Sequence, residues 1–442
     1  MTTAPAPAPA SKANNTITKS SVTATCRVMR AALLASLAEA KGYVASKHST
    51  LSSVSLTFSD AGVLKLTATD LTRWYFDTLT VDDIRFTDPV TWPSDLHHGT
   101  ITVACDAKRL HDVVKAMDAD ETVLTLKGTL TKTVTTIGDK SRVDHESLVQ
   151  VVSSTGEYNI KGGDATIFPQ TPHFPSQWAT YDASALRNAL DIAKPFVSKD
   201  LTRVHLCAAL VEIAPDKISV ISTDGHRLAK IVREATHVVV APTKFLIHLD
   251  AIGDLLDRCK AVLPRKGVLV RPGPATGIEI GLQGNSVFWK GEGARFYAVQ
   301  HEVSADSYPR YEQIIPRTFY RGVTVERAPF IAAMKRLTVV ASQKTYGCAL
   351  HLPESSAAPP HSFLVETDNG DGQTAKEKVV CKPDAFAGMS LVIGVKLTYL
   401  VEALDSFTCK TIWLGFNGEL DPIGVRANAA DADIIVVMPM RV

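Results

Sequence analysis

One pattern recurs three times along the chain and constrains its fold more than any other feature. A segment of helical periodicity leads into alternating, strand-like residues that stop at Thr-Asp, and a second amphipathic segment follows. The first strand-like runs are Leu64–Asp70, Ile218–Asp224 and Phe363–Asp368, each alternating apolar and polar side chains as a half-buried strand does.

The leading helices are expected over about 27–40, after Asp182, and from about Pro329. Met29, Leu33 and Leu37 share one face of the first. Leu186, Ala189, Leu190 and Ala193 follow the i, i+3, i+4, i+7 rule in the second, which Asp182 caps and Pro195 stops. Phe330, Met334, Leu337 and Ala341 mark the third. The second set of helices is expected over 106–117, 250–259 and 395–407, around Leu110, Val113 and Val114, then Ile252, Leu255 and Leu256, then Leu397, Leu400, Val401 and Leu404.

His173-Phe174-Pro175 and Ser307-Tyr308-Pro309 close the first two units, because a residue before proline is held extended. Domain boundaries therefore fall near 176 and 316, giving domains 21–176, 177–316 and 317–442. Residues 1–20, rich in Ala, Pro, Ser and Thr, are expected to be a disordered tail. Pro-rich stretches at 87–98 and 353–361 are expected to be surface loops. The length, 442 residues, agrees with roughly three domains.

Each unit is thus α+β, two helices on antiparallel strands. Three such units in a row would expose strand edges at both ends, and closure into a ring removes them. The helices carry basic residues, among them Arg30, Lys108, Arg109, Lys115, Arg187, Lys260, Lys335 and Arg336, while the whole chain is balanced at +1. A basic helical face suits phosphate backbone. On charge alone, the simpler reading is a solvated helix face.

Other classes find little support. No apolar run reaches the ~18 residues of a membrane span, and Met1–Ala10 lacks the charged and apolar regions of a secretory signal. Seven scattered cysteines without a CxxC pair point to buried thiols in a reducing cytoplasm. No phosphate-binding glycine loop is present, and no cofactor is expected. Asp224 and His226 raise a metal-dependent or acid-base enzyme as an alternative. However, the other two Thr-Asp pairs lack the histidine, and His97-His98 is remote in sequence. Thr-Asp is more simply a turn device, its side chains bonding backbone N–H groups. An open scaffold that binds only proteins is a second alternative.

Two motifs decide the reading. Thr223-Asp224-Gly225-His226-Arg227-Leu228-Ala229 and the stretch Val436-Val437-Met438-Pro439-Met440-Arg441-Val442 together resemble the bacterial DNA polymerase III beta sliding clamp family. Asp306–Tyr311, 330–350 and 64–71 extend the resemblance over most of 20–442, most clearly after 180. It implies three clamp-type domains per chain and a head-to-tail homodimer, a six-domain ring around double-stranded DNA. It implies a processivity factor of the cytoplasm, associated with the nucleoid and without catalytic activity. Its partners would be the replicative DNA polymerase, the clamp loader and other proteins carrying a clamp-binding peptide.

The resemblance also implies sites. The partner-peptide pocket would have Leu206, Thr223, Gly225, His226, Arg227 and Leu228 on one wall and Val436, Val437, Met438, Pro439, Met440 and Arg441 on the other. Pro309, Gln313, Ile314 and Leu420 would lie nearby. Methionine suits a groove that accepts several partners. DNA would meet Lys47, Lys199 and Arg203, and the dimer contact would use Tyr158 and Ile160 against Val339 and Val340. Departures from the family pattern are Gln313, where a basic residue is usual, the extra length, and the near-neutral charge.

Overall fold

The computed structural model describes residues 15–45, 51–87, 99–118, 120–137, 140–235, 242–263, 277–352, 361–386 and 390–441. Lys47, residues 1–14 of the tail, His97-His98 and nearly all of both Pro-rich stretches lie outside the described residues. Among the described residues the element order is strand, helix, four strands, helix, three strands, repeated from Asn15, Ala179 and Arg321, with one extra strand, Asp82–Phe86, in the first repeat. The architecture is α+β, as the recurring pattern implied. The chain divides into two compact units, Met1–Phe174 with Lys290–Val299, and Pro175–Trp289 with Gln300–Val442.

In the first unit, α1 (Arg30–Ala40) packs beside α2 (Ala107–Ala116). An antiparallel sheet runs in the order Asp82–Phe86, Asn15–Met29, Val123–Ile137, Lys140–Val152, Glu157–Gly162. A second set runs Arg73–Thr80, Val63–Thr69, Ser53–Ser59, Thr100–Asp106, with Phe296–Val299 pairing onto Arg73–Phe76. One core joins both: Leu33, Leu37, Leu110 and Val114 from the helices meet Leu56, Phe58, Leu66, Val103, Leu126 and Val151 from the strands.

Two expectations change here. The strand Asn15–Met29 begins inside the expected tail and occupies the start of the expected first helix. Its Thr- and Val-rich sequence pairs residue for residue with Val123–Ile137, and hydroxyl bonds Ser21–Thr131 (2.9 Å) and Thr23–Thr129 (3.0 Å) tie the two strands. Arg30 is not a free basic group: it donates to the carbonyls of Val114, Lys115 and Met117 at the end of α2. A cation there satisfies carbonyls that the helix itself leaves unpaired.

In the second unit, α3 (Ala183–Ala193) packs beside α4 (Leu249–Val262), and α5 (Arg327–Val340) beside α6 (Leu397–Asp405). Asp182 caps α3 through the amides of Ser184 and Ala185, as expected, whereas α4 starts one residue before Asp250, with His248 Nδ1 accepting from the Asp250 amide. A twelve-stranded sheet crosses from the second repeat into the third. Its crossing point is the pairing of Arg227–Glu234 with Ile434–Val437. The linker also binds this sheet: Tyr308, Tyr311, Ile314 and Phe319 pack on Leu210, Leu228, Ile434 and Val436. Burial holds both phenols protonated, and they donate to the Ile221 carbonyl and the Glu212 carboxylate. Six of the seven cysteines are buried, as expected of small apolar side chains.

Candidate functional site

The site grows from the turn between the strands Lys217–Thr223 and Arg227–Glu234. Thr223 Oγ1 donates to the Arg227 carbonyl (2.7 Å) and accepts from the Gly225 amide (3.1 Å). Asp224 Oδ1 accepts from the amides of His226 and Arg227 (2.9 and 3.0 Å), and its Oδ2 accepts from Arg227 Nε (3.0 Å). Gly225 takes φ +87°, a conformation open to glycine at no steric cost. Both oxygens of Asp224 are thereby engaged in holding the turn. That is the structural role anticipated for Thr-Asp, and it leaves this carboxylate unsuited to act as a general base.

Arg227 points from this turn toward the third repeat. It is 8% exposed, and its guanidinium lies 5.1 Å from the Phe196 ring centre and 4.6 Å from that of Tyr399. It also donates to the Glu402 carboxylate and to the Pro195 carbonyl. Burial alone would ease the proton off, but Glu402 and Asp224 outweigh it and hold the group more firmly charged than usual. His226, by contrast, is exposed and stacks on Tyr399 with ring centres 5.8 Å apart. Lys396 sits 4.4 Å from the same ring.

The chain's last stretch closes the arrangement. Val437 pairs with Arg227 and Val436 with Leu228, both valines fully buried in the sheet. Beyond them the Met438 amide donates to the His226 carbonyl (2.9 Å), and the Met440 amide to the Gly394 carbonyl (2.9 Å). The segment 438–440 thus runs between the turn of the second repeat and the strand Leu391–Lys396 of the third. Met438 is 36% exposed and Pro439 and Met440 are half-buried, so apolar surface is left open where two repeats meet.

The structure brings together Thr223, Gly225, His226, Arg227, Leu228, Val436, Val437, Met438 and Met440. Leu206 is buried beneath, in the turn that carries Arg203, whose Nη1 reaches the Asp224 carbonyl (3.4 Å). Pro309 and Ile314 flank the buried Tyr311, while Gln313 beside them is exposed. Leu420, 70% exposed, lies on the loop before Ile423, the partner of Val437. Arg441 is exposed. Lys396 is one of the basic residues that the sequence places on the helices, whereas Tyr399 and Glu402 went unnoticed, since nothing distinguishes them from other residues of an amphipathic helix. A cleft of about 650 Å³ opens between α3 and α6, lined by Asp191, Glu402, Asp405, Asp431 and Asp433 with Arg233, and none of the expected pocket residues lines it.

The remaining expectations fare unevenly. Val339 is 79% exposed and Tyr158 43%, but Ile160 is 6% exposed and belongs to the core of the first unit. It pairs with Val149 across the ladder, and the core packed on that face of the sheet covers it. Lys199 and Arg203 are exposed, with Arg203 turned 3.6 Å from Asp200. Several helix cations have acidic partners: Lys260–Asp257 at 2.8 Å, Arg336–Glu377 at 2.7 Å and Lys335–Asp405 at 3.7 Å. Lys108, Arg109 and Lys115 on α2 are exposed.

Comparison with known proteins places this geometry. Residues 312–441 match the model of the DNA polymerase III beta subunit, C-terminal domain. The beta sliding clamp of Synechococcus elongatus is 27% identical over 348 residues, covering 78% of this chain and 82% of the relative. That of Treponema pallidum is 25% identical over 373 residues, covering 82% and 88%. The crystal structure of the DNA polymerase III subunit beta from Pseudomonas aeruginosa superposes with a TM-score of 0.70 at 21% identity, covering 95% of this chain and 100% of that one. The third repeat thus matches the family model, and about four-fifths of the chain aligns with beta sliding clamps at 25–27% identity, so the chain is similar to that family in sequence and shares the clamp fold.

Proposed function

We propose that this chain is a DNA sliding clamp, a processivity factor that encircles duplex DNA and tethers a polymerase to it. It has no catalytic step of its own. The observation that carries this reading is the threefold strand, helix, four strands, helix, three strands order, joined to the turn at Thr223–Arg227 and the closing strand Ile434–Val437. Two copies meet head to tail, so that six repeats close a ring and the edges at the two ends of each chain are covered. Holding DNA by enclosure needs no base contact, only a surface that tolerates phosphate, to which the exposed Lys108, Arg109 and Lys115 contribute.

The exposed Val339 at the end of α5 and Tyr158 on the edge strand Glu157–Gly162 are the dimer contact. Ile160 acts there only by fixing that strand. Partner peptides, from the replicative polymerase, the clamp loader and other clamp-binding proteins, dock beside His226 and Met438. Apolar anchors meet Met438, Pro439, Met440 and Leu420, and the peptide's polar groups meet His226 and Arg441. The chain works in the cytoplasm, at the nucleoid.

The deciding experiment loads the protein onto circular DNA and onto linear fragments with free ends. Retention on circles with rapid loss from fragments is expected. Equal loss from both overturns enclosure. Val339→Asp, which buries an unpaired charge if the contact forms, is expected to split the dimer in sedimentation. A variant that stays dimeric places the contact elsewhere.

A further inference from the structure

In the first unit, the strand Lys140–Val152 outruns its outer neighbour. Its inner edge is paired along its whole length with Val123–Ile137, from Lys140 opposite Ile137 to Val152 opposite Thr125. Its outer neighbour, Glu157–Gly162, covers only Ser147 to Val152. The outer edge of Lys140–Glu146 therefore has no ladder partner among the described residues. Asp164, just beyond the outer strand, comes within 3.8 Å of His145, so the open part is Lys140–Asp144, about 17 Å of backbone donors and acceptors at ~3.3 Å per residue.

Open edges are normally protected by charge, because a like-charged second strand is repelled. This edge is charged, but its sequence, Lys140-Ser141-Arg142-Val143-Asp144-His145-Glu146, changes sign at its midpoint. Residues 140, 142, 144 and 146 all lie on one face of the strand, since side chains alternate. Turn a second copy antiparallel about Val143 and every charge meets its opposite. Arg142 faces the other copy's residue 144, Lys140 faces residue 146, and the valines meet on the reverse face. The same register in parallel orientation would set like against like. These side chains are accessible: Arg142 is 80% and Asp144 46% exposed, and the two now bond each other along the strand at 2.9 Å. Val143 is 47% exposed. Glu146 is already paired with Lys161 at 3.1 Å, so the central Arg142 and Asp144 set the register. The other open edge of this sheet, residues 15–22, holds a single charge, Lys19, and has no such complement.

We propose that Lys140–Glu146 is a self-pairing edge through which two copies of this chain join as an antiparallel β-ladder. The contact is isologous. It is distinct from the head-to-tail contact of the sliding-clamp reading, which uses Glu157–Gly162 and α5, and it doubles whatever assembly that contact makes.

The test is a charge swap on the full chain, followed by sedimentation velocity at concentrations up to roughly 0.2 mM, where a small interface is populated. The parent protein is expected to show a species of twice the basal mass that dissociates as salt rises from about 0.05 M to about 0.5 M. Arg142→Glu alone and Asp144→Arg alone each set like charges opposite one another, and each is expected to weaken doubling about tenfold or more. An equimolar mixture of the two variants is expected to restore it, since each then meets its complement. Absence of the doubled species in the parent overturns the proposal, as does its survival in either variant alone or a failure of the mixture to recover it. In the Val339→Asp background the doubled species should hold two chains, and without that substitution four. Two chains in both backgrounds would sink the ring contact and leave the edge contact standing.

Discussion

The turns Thr69–Arg73 and Thr223–Arg227 occupy the same place in the first and second repeats, and their hydrogen bonds match almost atom for atom. Thr69 Oγ1 donates to the Arg73 carbonyl and accepts from the Leu71 amide. Asp70 accepts from the amides of Thr72 and Arg73 and clasps the Arg73 guanidinium at 2.9–3.0 Å. Leu71 even takes the left-handed conformation, φ +81°, that Gly225 takes in the second turn. The two differ in what surrounds them. Arg73 turns back to the Gly42 carbonyl and the Tyr43 ring of its own repeat. Arg227 reaches Glu402 and Tyr399 of the next repeat, and the segment after Val437 bonds to His226 beside it. The turn is therefore a shared folding device, and the proposed peptide site lies where it abuts a neighbouring repeat and a second strand.

That contrast can be broken in four ways. Truncation after Val437 removes the chain segment that follows the strand Ile434–Val437 beside the second turn. Binding of clamp-loader and polymerase peptides should fall below detection in titration calorimetry, while the mass of the assembly stays unchanged. Asp224→Ala leaves the buried Arg227 without one of its two carboxylate partners and should cost about 3–5 kcal/mol in urea unfolding. Asp70→Ala, beside the more exposed Arg73, should cost about 1–2 kcal/mol. Equal losses would mean that the onward contacts of Arg227 add nothing.

His226→Thr gives the second turn the residue of the first. Losing the stack on Tyr399 should weaken peptide binding about tenfold, or about 1.4 kcal/mol, with stability changed by less than about 0.5 kcal/mol. A small effect of opposite sign in the two turns is expected from exchanging the left-handed residues. Leu71→Gly should relieve strain worth roughly 1–2 kcal/mol but loosen the unfolded chain, for a net gain below about 1 kcal/mol. Gly225→Leu should lose more than that, since its new Cβ meets Arg203 Nη1 at 2.8 Å. Thermal melts of both variants check the sign.

The third repeat shows why the pattern was readable yet incomplete. Thr367-Asp368 ends its strand as expected, and Asp368 accepts from the Gly370 amide (2.7 Å), but no arginine stands three residues beyond it. The Thr-Asp signature was thus a sound guide to strand ends, whereas the arginine clasp belongs to two repeats only. Ile160 misled for a related reason. It shares a face of the strand with Tyr158, but exposure fades along that face as the core begins to cover it, and alternation does not register where that happens. The strand Asn15–Met29 escaped the sequence reading because a Thr- and Ser-rich strand resembles a linker until its partner is known.

By itself, the sequence determined the repeat, the six α-helices among the described residues, the Asp182 cap, the strand ends at Thr-Asp and the two motifs of the candidate site. These depend on contacts between residues near one another in the chain, which periodicity and turn chemistry record directly. Tertiary structure alone decided that Arg227 lies between Phe196 and Tyr399, that Met438 bonds to His226, and that Lys140–Glu146 outruns its neighbour. Each of those joins residues far apart in sequence, and such pairings are fixed by packing and strand register, which no local pattern encodes.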